Sequence, residues 1–231
     1  MKAFLLAAGK GTRLTPLTET TPKCLLPVGG ASLLSIWLEL CRRHGIDEVL
    51  INVHAHPDAI REYFACNQNG IRVRLFQEPT LLGSAGTIAA NREWVAHESW
   101  FWVLYADVLT NMNLRALLDF HMARRTAATL AVYRVPDPSR CGIVTLDENG
   151  EVTDFVEKPP IPLSNLAFSG VLIGTHQLLD KIPNRLPADI GFDVLPRMVN
   201  KMSAYEISDY LLDIGTLPNY KQAQATWPGL S

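Results

Sequence analysis

The sequence predicts an α/β protein, a Rossmann-like three-layer sandwich around a mixed, mainly parallel central sheet. Three observations carry this. Short apolar runs alternate with helical stretches from the first residues onward, the pattern of successive βα units. The first such run, Lys2–Ala7, is apolar enough to read as a buried strand. The second half adds two strands flanking Asp147-Glu148-Asn149-Gly150, a good hairpin turn, so some antiparallel pairing is expected beside the parallel strands.

In order along the chain, Ser32 is placed to cap an amphipathic helix running to about His44. Glu48–Val53 is the second strand, Pro57–Cys66 the second helix and Ile71–Phe76 the third strand. Ser84–Trp94 reads as helix and Trp100–Tyr105 as a strongly apolar strand. Asn113 is placed to cap a helix over Leu114–Arg124, followed by a strand at Ala128–Val135. Ile143–Leu146 and Val152–Val156 flank the hairpin turn, and Leu166–Gly174 is a further strand. Gly191–Lys201 reads as helical, and Leu217–Ala225 as a last helix. No linker or internal repeat interrupts this order, so residues 1–231 are read as a single domain.

Composition excludes several classes. With 21 Lys and Arg against 23 Asp and Glu, the chain lacks the basic excess of a nucleic-acid binder. Cys24, Cys41, Cys66 and Cys141 form no CxxC pair, which argues against a disulfide framework or a cysteine zinc site. The apolar runs Ala3–Ala8 and Trp100–Ala106 fall far short of the roughly 18–20 residues that span a membrane. No cleavage-site pattern follows the first run, so a soluble cytoplasmic protein without membrane partners is expected.

The strongest local signal follows the first strand: Leu6-Ala7-Ala8-Gly9-Lys10-Gly11-Thr12-Arg13-Leu14. Ligands of α/β sheets bind beyond the carboxyl ends of the strands. Small residues there let backbone N–H groups approach a phosphate chain, and Lys10 and Arg13 supply positive charge. A dinucleotide fingerprint is broken by Leu14, and no Walker A string is present.

The loop continues through Thr15-Pro16-Leu17-Thr18 to Pro22-Lys23-Cys24-Leu25-Leu26-Pro27-Val28. The whole run, Leu6 to Val28, resembles the N-terminal signature of the nucleotide-sugar pyrophosphorylases, the sugar-1-phosphate nucleotidyltransferases. Later strings agree in order. Leu82-Gly83-Ser84-Ala85-Gly86-Thr87 resembles the base-side loop, and Tyr105-Ala106-Asp107 the first metal motif. Val156-Glu157-Lys158-Pro159 resembles the sugar-phosphate motif, and Leu212-Asp213-Ile214-Gly215-Thr216 the second metal motif.

The resemblance implies a reaction of a nucleoside triphosphate with a sugar 1-phosphate, giving a nucleotide sugar and pyrophosphate. A phosphomonoester with a second pKa of about 6 is largely dianionic at neutral pH and needs no general base. Catalysis then rests on positioning and charge neutralisation. By resemblance, Arg13, Lys23 and Lys158 are the catalytic cations. Leu6, Ala7, Ala8, Gly9, Gly11, Thr12, Arg13, Glu78, Gly83 and Asp107 surround the nucleotide. Gly142, Glu157, Lys158, Ser169 and Gly170 surround the sugar phosphate, and Asp107 with Asp213 hold Mg²⁺. Relatives often form dimers or tetramers, so a homo-oligomer is among the expectations.

Glu78 bears on the base. A carboxylate only accepts hydrogen bonds, which suits the adjacent N1–H and N2–H of guanine. The Leu-Gly-Ser-Ala-Gly string also resembles the guanylyltransferase branch, so GTP with mannose 1-phosphate or a similar hexose or heptose 1-phosphate is favoured. Uracil and thymine each offer one ring N–H, which keeps uridylyl and thymidylyl transfer open. A non-catalytic regulator that binds nucleotide sugars is the rival from another class. Transfer to an amino-alcohol phosphate from CTP is a third, disfavoured by Glu157-Lys158-Pro159.

Two positions depart from the family pattern. Ala106 stands where Gly usually precedes the metal Asp, and Phe168-Ser169-Gly170 stands where Asn-x-Gly is usual, so Ser169 is left to meet the sugar with a different reach. His54 and His56 read as structural or pocket-lining, and Trp100 and Trp102 as core. The sequence runs to Ser231, leaving no room for a left-handed β-helix, so a minimal single-function transferase is the expectation.

Overall fold

The computed structural model describes residues 1–67 and 70–230. In chain order its strands are β1 (Lys2–Leu6), β2 (Pro27–Val28), β3 (Ala31–Ser32), β4 (Glu48–Val53), β5 (Arg72–Gln77), β6 (Phe101–Tyr105), β7 (Val108–Thr110), β8 (Ala128–Arg134), β9 (Gly142–Leu146), β10 (Val152–Glu157), β11 (Leu166–Gly174), β12 (Met202–Glu206) and β13 (Leu211–Asp213). The helices are α1 (Leu33–Arg43), α2 (Pro57–Cys66), α3 (Ser84–Ala90), α4 (Leu114–Arg124), α5 (His176–Leu179) and α6 (Leu217–Thr226). The fold is α/β and Rossmann-like with a mixed, mainly parallel sheet, as the alternation implied. The chain divides into two compact units. The first is Met1–Leu81, Leu104–Asn113 and Asp209–Ser231; the second is Leu82–Val103 and Leu114–Ser208.

In the first unit β1 and β5 flank β4, both parallel to it, with Leu6 opposite Asn52 and Asn52 opposite Phe76. Parallel pairing in this register brings the carboxyl ends of all three strands to one edge, where α/β proteins place ligands. The interiors of β1 and β4 are buried, which is why Ala3–Leu5 and Val49–Ile51 read as apolar runs. Ser32 caps α1 as expected, its Oγ accepting the Ser35 N–H at 3.1 Å. Leu33 and Ile36 of α1 pack with Val28, Leu109, Ile214 and Ala223. The buried Trp37 indole donates to the Val108 carbonyl at 2.8 Å and anchors β7. That strand pairs antiparallel with β13, Asp213 opposite Val108.

In the second unit β8 pairs antiparallel with β11 and parallel with β12, while β9 pairs antiparallel with β10 and β11. The predicted hairpin is present: Asp147 Oδ1 accepts the N–H groups of Asn149 at 2.9 Å and Glu151 at 2.8 Å. A bulge interrupts β11 between Phe168 and Leu172, where Gly170 takes φ +82°. Buried beneath β8, His121 Nδ1 pairs with Thr129 Oγ1 at 2.8 Å, and Ser203 Oγ lies 3.2 Å from the same hydroxyl.

Two helices differ from expectation. The segment read as helix over Gly191–Lys201 is a π turn (Ile190–Val194) followed by a 3₁₀ turn (Leu195–Met198). Pro196 has no N–H to continue an α-helical ladder there. The helix expected over Ser84–Trp94 stops at Ala90, and a 3₁₀ turn (Arg92–Val95) follows. Asn91 leaves helical geometry at φ −120°, with its side chain turned back to the Thr87 carbonyl at 2.9 Å. Among the described residues no helix is long and apolar enough to cross a membrane.

Candidate active site

The signature loop leaves β1 at Leu6. Gly11 takes φ +65°, and a Cβ there would lie 2.9 Å from Thr18 Cγ2, so the turn requires glycine. Thr18 Oγ1 donates to the Gly11 carbonyl at 2.8 Å and fixes the turn's far side. Ala8 is buried beneath it, whereas Gly9, Thr12 and Arg13 are exposed. Among the described residues, chain neighbours aside, no atom would come within 4 Å of a Cβ placed on Gly9.

The β7–β13 pairing supplies the carboxylates. Asp213 ends β13 opposite Val108, and Asp107 immediately precedes that residue, so the register sets both acids at one place. The Ile214 N–H donates to the Asp107 carbonyl at 3.0 Å, closing the arrangement. Lys23 opens a 3₁₀ turn after Pro22, and its ammonium lies 2.8 Å from Asp107 Oδ2. A Cβ on Gly215 would lie 2.7 Å from Asp213 Oδ1, 2.8 Å from Arg13 Nη2 and 3.4 Å from Lys23 Nζ. Two cations and a carboxylate thus converge on one bare α-carbon, and Asp107 joins them through Lys23. A cavity of about 30 Å³, room for a water, is lined by Leu6, Ala7, Gly9, Lys23, Cys24, Ala106 and Asp107.

Burial pushes the Asp213 carboxyl above the usual carboxylate range, and the charge of Asp107 adds to that. Lys23, the Gly215 N–H and Arg13 pull the other way. Two mutually repelling carboxylates are the hard oxygen donors a divalent cation prefers. Among the described residues no group of three or more His, Cys, Asp or Glu side chains is arranged as a metal site.

Glu78 follows β5. It is 1% exposed, so its carboxylate faces inward. Its Oε1 accepts from Asn52 Nδ2 at 2.8 Å, while Asn52 Oδ1 accepts the Ala7 N–H at 2.7 Å. The Glu78 carbonyl pairs with His54 Nδ1 at 2.9 Å. Asn52 was not anticipated. Its one sequence signal is a polar residue near the carboxyl end of an apolar strand. His56 turns away to the Thr18 carbonyl at 3.3 Å, so the two histidines have separate partners.

The sugar-phosphate candidates lie in the second unit. Gly142 pairs with Glu157 across β9 and β10. A Cβ on Gly142 would lie 2.6 Å from Glu157 Oε2, and one on Gly191 would lie 2.5 Å from the same atom. The carboxylate therefore sits between two glycines that clear its space. Burial raises its pKa, the neighbouring Lys158 charge lowers it, and Asp189 raises it again. Lys158 holds φ +52°, uncommon for a side-chain-bearing residue, and its N–H donates to the Cys141 carbonyl at 2.9 Å. Its ammonium lies 3.5 Å from Glu157 Oε1 and 5.4 Å from the centre of the exposed Phe192 ring.

Ser169 and Gly170 form the β11 bulge. Ser169 is buried, with its Oγ accepting the Val171 N–H at 3.2 Å. No hydrogen bond joins it to Glu157 or Lys158 among the described residues. Gly83, at φ +80°, packs so closely on the Ala188 carbonyl that any side chain would collide with it.

The model of the nucleotidyl transferase family matches residues 2–228. The chain is 33% identical to the UTP–glucose-1-phosphate uridylyltransferase of Synechocystis sp., over 96% of this chain and 62% of that protein. It is 32% identical to the probable mannose-1-phosphate guanylyltransferase 1 of Oryza sativa subsp. japonica, over 95% of this chain and 63% of that one. It therefore spans a little over six tenths of the length of these relatives. In fold it is similar to a putative glucose-1-phosphate thymidylyltransferase from Bacillus anthracis, solved with a sucrose. The TM-score is 0.86 at 22% identity, over 97% of this chain and 94% of that one.

Proposed function

The chain belongs to the nucleotidyl transferase family, and from that membership we propose that it joins a nucleoside triphosphate to a sugar 1-phosphate. An oxygen of the sugar phosphate forms a bond to the α-phosphorus. The bond from that phosphorus to its bridging oxygen breaks, and pyrophosphate leaves with the electron pair. The observation that carries the reading is the gathering of Arg13, Lys23 and Asp213 around Gly215, with Asp107 bonded to Lys23.

Each residue then has a task. Arg13 offers its guanidinium fork to the β- and γ-phosphates, whose negative charge grows as pyrophosphate departs. Lys23, held by Asp107, places a cation at the reacting phosphates. The loop from Leu6 to Thr12 lets the phosphates lie close to backbone. Asp107 and Asp213 would hold Mg²⁺, which when bound supplies charge against the phosphate oxygens. In the second unit Glu157 accepts from sugar hydroxyls, and Lys158 pairs with the sugar phosphate.

For the base, GTP is the favoured substrate, with mannose 1-phosphate or a related hexose or heptose 1-phosphate. The acceptor-only carboxylate of Glu78 and the likeness to a guanylyltransferase support this. UTP with glucose 1-phosphate is the second reading, favoured by the 33% identity to a uridylyltransferase. Mass-spectrometric identification of the nucleotide sugar formed from mixed triphosphates and sugar phosphates tests both. GDP-mannose as main product supports the first, UDP-glucose the second. No nucleotide sugar from any pair would remove the transferase reading.

A further inference from the structure

The segments Leu82–Gly86 and Ala188–Gly191 are bound to one another inside the second unit. The Ala188 N–H donates to the Leu82 carbonyl at 2.9 Å, and the Ala188 carbonyl accepts from Ala85 at 3.0 Å and Gly86 at 3.2 Å. Side chains close the joint. Ser84 Oγ donates to Asp189 Oδ2 at 2.9 Å and accepts the Ile190 N–H at 2.8 Å, while Asp189 Oδ1 accepts from Phe192 N at 3.0 Å. The Ser84 hydroxyl thus has both a donor and an acceptor role filled, and its orientation is fixed.

The two segments serve different ligands in the transferase reading. Leu82–Gly86 is the loop on the base side. Ala188–Gly191 borders the sugar acceptor, because both carboxylates crowd the side-chain position of Gly191: a Cβ there would lie 2.5 Å from Glu157 Oε2 and 3.3 Å from Asp189 Oδ1. The charge of Asp189 is also felt at Glu157. A shift of the base-side loop therefore carries Asp189 with it, and the space around Glu157 changes.

We propose that Ser84 and Asp189 are positioning residues that couple nucleotide binding on the Leu82–Gly86 loop to sugar-phosphate binding at Glu157 and Lys158; this rests on the transferase reading. Neither side chain touches the reacting atoms. The pair makes one ligand's occupancy alter the other's affinity, and the linkage is reciprocal.

The test is a binding titration on the full chain, with mannose 1-phosphate or glucose 1-phosphate as titrant. It is run with and without the α,β-methylene analogue of GTP or UTP, which blocks turnover. The unsubstituted protein is expected to bind its sugar phosphate at least about fivefold more tightly with the analogue present. Ser84→Ala and Asp189→Asn should each cut that ratio to under about twofold, with affinity for the analogue alone changed far less. Ser84→Thr, which keeps the hydroxyl, should retain it. A purely structural role would lower thermal stability and leave the ratio intact, so retention of the full ratio in either folded variant would overturn the proposal. Binding of both ligands without coupling in the unsubstituted protein would overturn the coupling alone. Binding of neither analogue would remove the transferase reading and the coupling together.

Discussion

Lys23 and Asp107, 84 residues apart, meet as an ion pair at 2.8 Å, and the Lys23 side chain is only 9% exposed. The pair sets the direction of a cation and a carboxylate that both face the same phosphates in the proposed reaction. Its removal leaves a nearly buried ammonium without its partner. For a partly buried pair the stability cost falls between the surface and fully buried limits, about 1–2 kcal/mol.

Asp107→Asn is therefore expected to lower stability by about that amount and turnover by about 100-fold or more. Denaturant titration and steady-state rates check the two effects separately. A rate near that of the unsubstituted protein would remove Asp107 from the site.

Gly191→Ala introduces a methyl 2.5 Å from Glu157 Oε2 at a backbone conformation alanine tolerates. Displacement of Glu157 should raise KM for the sugar phosphate by about tenfold or more, with KM for the triphosphate little changed. An equal rise in both constants would contradict the placement of Glu157 beside the sugar.

Glu78 and Asn52 separate base recognition from support. Glu78→Gln keeps an oxygen for Asn52 but replaces an acceptor with a donor. The expected result is an altered ranking of GTP, ITP and UTP by kcat/KM. An unchanged ranking with lowered Tm would make the buried Glu78 a strut for Asn52 and Ala7 instead.

Stability should fall as pH drops from about 7 toward 5, in part through His121. Burial holds its pKa below the ordinary value of 6.5. Below 6.5 the unfolded chain binds a proton that the folded His121 resists, so the unfolded state gains until pH passes the folded value. His44 is shifted the same way by burial and by Arg43. His121→Gln should flatten the slope of Tm against pH, and an unflattened slope would exclude its contribution.

Much of the candidate site was legible because it lies in continuous strings. Arg13, Lys23, Asp107, Glu157, Lys158 and Asp213 each sit within a motif whose spacing is local. Asn52, Ser84 and Asp189 gave little signal, because their roles come from side-chain bonds such as Asn52 to Glu78 and Ser84 to Asp189 that only folding creates. The strands β7 and β12 were missed for a related reason. Three to five residues such as Val108–Thr110 carry too short a pattern, and pairing with Leu211–Asp213 decides their state. Ile190, Val194, Leu195 and Met198 are buried at helical spacing, so periodicity alone misled over the π and 3₁₀ turns. Ser169 is harder to place by sequence, since the β11 bulge turns its hydroxyl onto Val171.

The most direct measurement of nucleotidyl transfer is pyrophosphate release by the full chain with Mg²⁺, one triphosphate and one sugar 1-phosphate, beside an Asp107→Asn blank. Release is expected to need both substrates together and largely to disappear in the blank. Release from triphosphate alone, or equal release by the blank, would contradict it.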